Sequence, residues 1–130
     1  RAITTGRNRL ETDLRRVVKM VLKLQYGAKA KDTFLEIVSP PDRKAKLALL
    51  NVDEIFDGQL FFEDLRKVIL KHWQVFASIF NNDRERFQNY MEYVNANRAD
   101  AHANDISDDT LGLVLISLQW LQRHVDSFLK

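Results

Sequence analysis

The stretch Leu10-Glu11-Thr12-Asp13-Leu14-Arg15-Arg16-Val17-Val18-Lys19-Met20-Val21-Leu22 decides the fold class. Leu10, Leu14, Val17, Val18, Val21 and Leu22 recur at the spacing that gathers side chains on one face of an α-helix. Arg9, Arg15, Arg16, Lys19 and Lys23 crowd the other sides and predict a basic, solvated surface. Thr4-Thr5-Gly6 reads as the approach to this helix and Gly27 as its end.

The same periodicity continues along the chain. Lys31 to Val38 allows another helical turn or two. Ser39-Pro40-Pro41 then breaks the chain, with Ser39 as a cap and Pro40 as the first residue of a helix through Leu50. Asn51 to Gly58 reads as a connection in which Val52, Ile55 and Phe56 pack on the bundle. Leu60 to Phe80 forms the second long helical region, with Leu65, Val68, Ile69, His72, Trp73, Phe76 and Phe80 on its apolar side and room for a bend at Lys71-His72-Trp73. Asn81-Asn82-Asp83 marks a turn, and Asp83 caps a helix whose core face is Phe87, Tyr90, Met91 and Val94. Ser107 caps the last helix, where Leu111, Val114, Leu115, Leu118, Leu121, Val125 and Phe128 are expected to face inward. No alternating strand pattern and no internal repeat is present. The expectation is an all-α antiparallel bundle of four principal helices with short extra helical segments, one domain over residues 1–130.

Composition agrees. Of 130 residues, 45% are hydrophobic, with four Gly and two Pro, which fits one packed core and not disorder. The absence of Cys excludes disulfides, thiolate metal sites and a cysteine nucleophile, and agrees with a cytoplasmic or otherwise intracellular setting. The longest apolar run, Leu111 to Ile116, is too short to span a bilayer, so no membrane partner is expected. The chain begins with Arg1 and reads as a domain cut from a longer protein, whose other parts would be partners. Net charge is +2, but residues 1–31 hold nine Lys/Arg against two Asp/Glu, whereas the remainder holds eleven against sixteen. A basic segment of this kind attracts a phosphate backbone or an acidic protein surface; equally, it is the solvated face of a helix.

The functional reading turns on Asn97-Arg98-Ala99-Asp100-Ala101-His102, which sets a permanent cation and a titratable imidazole four positions apart. On a continuing helix these share a face. A guanidinium clamps phosphate oxygens in bidentate fashion, and a neutral imidazole moves a proton near neutral pH. The plainer reading is that both side chains favour the dipole at a helix C-terminus. His102 with Asp105, Asp108 and Asp109 offers one imidazole and no partner histidine, a poor metal set, and these residues read better as turn and cap residues. His72 reads as packed beside Trp73, and His124 as a dipole-favouring residue. Trp73, Phe76 and Trp120 fall on apolar stripes, and one of Tyr90 and Tyr93 must face away from the core.

Phe61-Phe62-Glu63-Asp64-Leu65, Ile69, Trp73-Gln74-Val75-Phe76, the Phe87 helix and Asn97-Arg98-Ala99-Asp100-Ala101-His102-Ala103 form an ordered series. This series resembles the HEPN superfamily of small helical-bundle domains and, within it, the Swt1-like group, over roughly residues 45–130. The resemblance implies an RNA-handling domain and a metal-independent endoribonuclease, a hydrolase without cofactors that works as a homodimer. Arg98 and His102 match the motif's catalytic pair, with Asn97 and Asp100 supporting them; Arg9, Arg15, Arg16, Lys19 and Lys23 are the second candidate RNA contact. Family members occur in toxin–antitoxin and antiviral defence systems and in RNA processing. Only three residues separate Arg98 from His102, one fewer than the family's usual minimum, and Ala99 stands where a polar residue is usual. Relatives that have lost the motif are dimerisation or protein- and RNA-binding modules, which is the alternative for this chain.

Overall fold

The structure, a computed structural model, describes residues 2–97 and 107–130, and within them the chain is all-helical. The elements are α1 (Ala2–Tyr26), a 3-10 turn (Gly27–Lys29), α2 (Ala30–Leu35), α3 (Pro41–Ala48), α4 (Val52–Gly58), α5 (Phe62–Lys71), α6 (Trp73–Phe76), a second 3-10 turn (Ala77–Phe80), α7 (Arg84–Ala96) and α8 (Asp108–Leu129). The four longest helices, α1, α5, α7 and α8, are the four principal ones expected. The described chain divides into two compact units, Arg1–Asp13 with Ala77–Lys130, and Leu14–Phe76.

In the first unit, α1 starts earlier than expected. Thr4, Thr5 and Gly6 lie within it, and Ile3 is buried. Gly6 is not a breaker: a Cβ there would stand 3.3 Å from Leu118 Cδ1, so its small size lets α8 come close. Asn81 and Asn82 take positive φ values of 57° and 56°, the left-handed turn that Asn tolerates. Asp83 then caps α7 by accepting the Arg86 N–H at 3.0 Å, and Ser107 caps α8 by accepting the Thr110 N–H at 3.2 Å. Phe87, Met91 and Val94 are buried, as are Val114, Leu118, Leu121 and Val125. Trp120 centres an aromatic group, stacked on Phe80 at 6.3 Å, edge-on to Tyr90 at 5.5 Å and against His124 at 4.2 Å. Tyr90 meets Trp120, and Tyr93 shares a cleft with Leu113, so α7 and α8 run antiparallel. Three residues expected inside α8's core face, Leu111, Leu115 and Phe128, are exposed instead.

In the second unit, Leu14, Val17, Val18, Val21 and Leu22 are all buried, and Gly27 ends α1 with a φ of 54°. The Ser39–Pro40 peptide is cis; Pro40, not Ser39, is the N-cap of α3, and Pro41 takes the first turn, where a missing N–H costs nothing. Asn51 to Gly58 is a helix and not a connection. Asn51 Oδ1 accepts the Glu54 N–H at 2.8 Å, while Glu54 Oε1 accepts the Asn51 N–H at 3.0 Å, a reciprocal capping box. The long helix expected over Leu60 to Phe80 breaks at His72 (φ −110°, ψ 39°), the C-cap of α5.

An ion pair between buried Asp64 and partly buried Arg43 orders the start of α5. Asp64 accepts from Arg43 Nη1 at 2.8 Å and Nη2 at 2.6 Å, and from the Phe61 N–H at 2.7 Å. Arg43 Nη2 also donates to the Gln59 carbonyl at 2.9 Å, and its guanidinium lies 4.5 Å from the centre of the exposed Phe61 ring. Thus Asp64 satisfies an orphan helix N–H and a bidentate cation at once.

Candidate functional site

α7 ends at Ala96, and Asn97 is its C-cap with non-helical angles (φ −116°, ψ 36°). The Asn97 side chain turns back on its own helix, Nδ2 donating to the Tyr93 carbonyl at 2.9 Å, and so satisfies one of the last-turn acceptors. Arg98, Asp100 and His102 lie outside the described residues, as does the helical face they were expected to share. What the structure places is their frame: the segment 98–106 joins the C-terminus of α7 to the N-terminus of α8. Asp108 and Asp109 occupy the first turn of α8, where carboxylates favour the helix dipole.

The five basic residues of α1 are placed clearly. Arg9 Nη2 donates to Asp126 Oδ2 at 2.9 Å, with Nε 3.8 Å from Asp13 Oδ2. Arg15 spends its fork on the Leu60 carbonyl, at 3.0 Å from Nη2 and 3.3 Å from Nε. Lys19 reaches Asp57 at 2.9 Å and Asp53 at 3.2 Å, and Lys23 reaches Asp53 at 2.7 Å. The Asp57 hydrogen bond, ahead of the smaller opposing effect of burial, raises the Lys19 pKa. Lys23 first and Lys19 second hold the Asp53 carboxyl below its usual range. Arg16 is exposed. Two lysines facing two aspartates carry no net charge, so the sequence's basic asymmetry is largely cancelled where α1 meets α4.

Neither described histidine makes a catalytic pair. His72 Nδ1 lies 3.2 Å from the Tyr26 hydroxyl with the rings edge to face at 5.4 Å, and Nε2 is buried without a partner among the described residues. Burial pushes this imidazole below its ordinary pKa, against an upward pull from Glu36; Lys71 adds a further downward push. His124 Nδ1 donates to the Trp120 carbonyl at 2.8 Å. Among the described residues, no three His, Asp or Glu side chains converge in a metal-holding group, and no helix is long and apolar enough to cross a membrane.

Among the open features not read in the sequence, two bear on binding. One is a groove of about 820 Å³ whose lining includes Gly6, Leu115, Ile116, Leu118 and Arg123. The other is a cleft of about 310 Å³ along α7, one turn ahead of Asn97, lined by Tyr90, Tyr93 and Leu113 among others. The i, i+3 spacing of Tyr90 and Tyr93 was the available signal for the second. No family model, curated protein or solved structure matches the chain.

Proposed function

We propose that this chain is a HEPN-type RNA-handling domain whose Arg98 and His102, contributed by two copies, form a metal-independent endoribonuclease site. The observation that carries the reading is the motif's position: Asn97-Arg98-Ala99-Asp100-Ala101-His102 starts at the C-cap of α7 in an all-helical chain and leads directly to capped α8. Neutral His102 takes the ribose 2′-hydroxyl proton as the oxygen attacks the adjacent phosphorus. Arg98 holds the non-bridging oxygens as charge builds on the phosphorane, and the second copy's His102 protonates the departing 5′-oxygen. The products are a 2′,3′-cyclic phosphate and a 5′-hydroxyl. Asn97 fixes the helix end from which Arg98 departs, and Asp100 orients the pair.

The test is cleavage of single-stranded RNA in excess EDTA. The parent should cleave RNA and spare DNA, and Arg98→Ala and His102→Ala should each lower the rate by about a hundredfold or more. Equal cleavage by parent and both variants would sink the proposal. A second reading, a non-catalytic HEPN-like dimerisation or protein-binding module, is favoured by the internal pairing of Arg9, Arg15, Lys19 and Lys23 and by the exposure of Leu115 and Ile116. A parent that forms dimers yet leaves RNA intact would decide for it.

A further inference from the structure

We infer that the α7 cleft is a subsite for one unpaired nucleobase bearing an exocyclic amine; its place on an RNA strand rests on the RNA reading above. The cleft is about 310 Å³, at the lower end for small-molecule sites, and its walls are chemically distinct. Tyr93, 36% exposed, offers an aromatic face, and Leu113 from α8, 38% exposed, offers an apolar wall. Neither exposure serves the core, since Phe87, Met91 and Val94 already fill the inward side of α7. Tyr90 is half-buried and fixed edge-on to Trp120 at 84°, which holds its ring 6.3 Å from that of Tyr93. The platform is therefore held by packing before a ligand arrives.

The polar groups divide the work. The Arg86 guanidinium lies 5.9 Å from the centre of the Tyr90 ring, with its Nε 3.5 Å from Asp83 Oδ2, and its remaining N–H donors are the one cationic group among the cleft's described residues for the phosphate attached to a stacked base. Asn89 presents both an amide donor and an acceptor to a base edge, and exposed Glu85 presents acceptors only. At the 6-position of adenine or the 4-position of cytosine a carboxylate accepts from an amine, whereas the same position of uracil is a carbonyl and only its N3–H donates, so a Glu85 that meets this position favours adenine and cytosine over uracil. The Asn97 amide, bonded to the Tyr93 carbonyl at 2.9 Å, ties this platform to the residue that precedes Arg98.

Short 2′-O-methyl oligonucleotides of adenine, cytosine or uracil test this without cleavage, because the attacking hydroxyl is blocked. The parent should bind the adenine and cytosine oligomers more tightly than the uracil oligomer, and Glu85→Gln should narrow that gap. Tyr93→Ala should weaken binding roughly tenfold while Tyr93→Phe keeps it, since stacking needs the ring and not the hydroxyl. Circular dichroism checks that each variant is folded, which a half-exposed position allows. Equal affinity of Tyr93→Ala and the parent, or no binding of any oligomer by the parent, overturns the inference. Tyr93-dependent binding that survives in Arg98→Ala and His102→Ala supports it, and does so even if ordinary RNA is left uncut and the nuclease proposal falls.

Discussion

Both compact units bury an apolar core, and they differ in the side-chain contacts set around it. In Leu14–Phe76, charged side chains are tied to specific partners: Arg43 to Asp64, Arg15 to the Leu60 carbonyl, Lys19 and Lys23 to Asp53 and Asp57. In the unit of Arg1–Asp13 and Ala77–Lys130, Trp120 gathers Phe80, Tyr90 and His124 into an aromatic group. Both units leave apolar side chains uncovered, Tyr93, Leu113, Leu115 and Ile116 in the one with Trp120 and Leu24, Leu49 and Phe61 in the other, and both pair cations, as Arg9 with Asp126 and Lys23 with Asp53. What separates the Tyr93 cleft from the basic side of α1 is an exposed ring and an apolar wall gathered in one concavity, whereas Arg15, Lys19 and Lys23 are already paired on an open helix side.

Two substitutions of comparable, large effect break the comparison at its base. Trp120→Ala empties the aromatic centre and should cost about 3–5 kcal/mol, read by chemical denaturation. Asp64→Ala should cost a similar 3–5 kcal/mol for another reason: it strands a mostly buried guanidinium and the Phe61 N–H. The repairs separate the causes. Removing both charges with Arg43→Met and Asp64→Leu should recover much of the loss, because a buried pair can be exchanged for apolar packing. No partner change repairs the Trp120 cavity. A double variant as unstable as Asp64→Ala alone would show that the geometry of the pair, and not the unpaired charge, is what matters.

Smaller effects follow from local backbone chemistry. Asn51→Ala removes half of the capping box of α4 and should lower stability by about 1 kcal/mol. Gly112→Ala should act in the opposite direction. Gly112 lies inside α8, and no described atom beyond its own helix backbone stands within 4 Å of where a Cβ would be. Ala there gains helix propensity of roughly 0.5–1 kcal/mol without a clash. A melting temperature unchanged or lowered in Gly112→Ala would show that this stretch of α8 gains from glycine's freedom.

How far the sequence could be read depended on how local each cause was. The α1 stripe, the Asp83 and Ser107 caps and the Gly27 terminus were legible because each is decided within one or two turns. The capping box at Asn51 and Glu54 is equally local, but the segment it opens is only seven residues long and reads as a connection despite the packing of Val52, Ile55 and Phe56. Gly6 misled because its role is set by Leu118, far along the chain. The exposure of Leu111, Leu115 and Phe128 could not be read at all: periodicity says which residues share a face, not whether another element covers it. The pair of Arg43 and Asp64 is likewise non-local, and the break at His72 coincides with a contact to Tyr26. Of the candidate site, Asn97 is placed, while Arg98, Asp100 and His102 stand on resemblance and position.

The smallest expected effect appears only as a slope. His72 belongs to the same unit as the ion pairs of Arg43, Lys19 and Lys23 yet lacks their full pairing, since Nε2 is buried with no partner among the described residues while Nδ1 meets Tyr26. With burial lowering its folded-state pKa beneath the ordinary 6.5, the unfolded chain binds the proton first as pH falls. Stability from this group is therefore complete above that value and declines as pH drops below it, levelling off once the folded state is protonated too. Replacing His72 with Gln, neutral throughout, should flatten the stability profile between about pH 7 and 5 while leaving the acid limb due to carboxylates such as Asp53 in place. Denaturation midpoints for parent and variant across that range would decide it. Parallel profiles would mean that the imidazole reaches water before it charges, and that Glu36, the carboxylate pulling its pKa upward, meets it there.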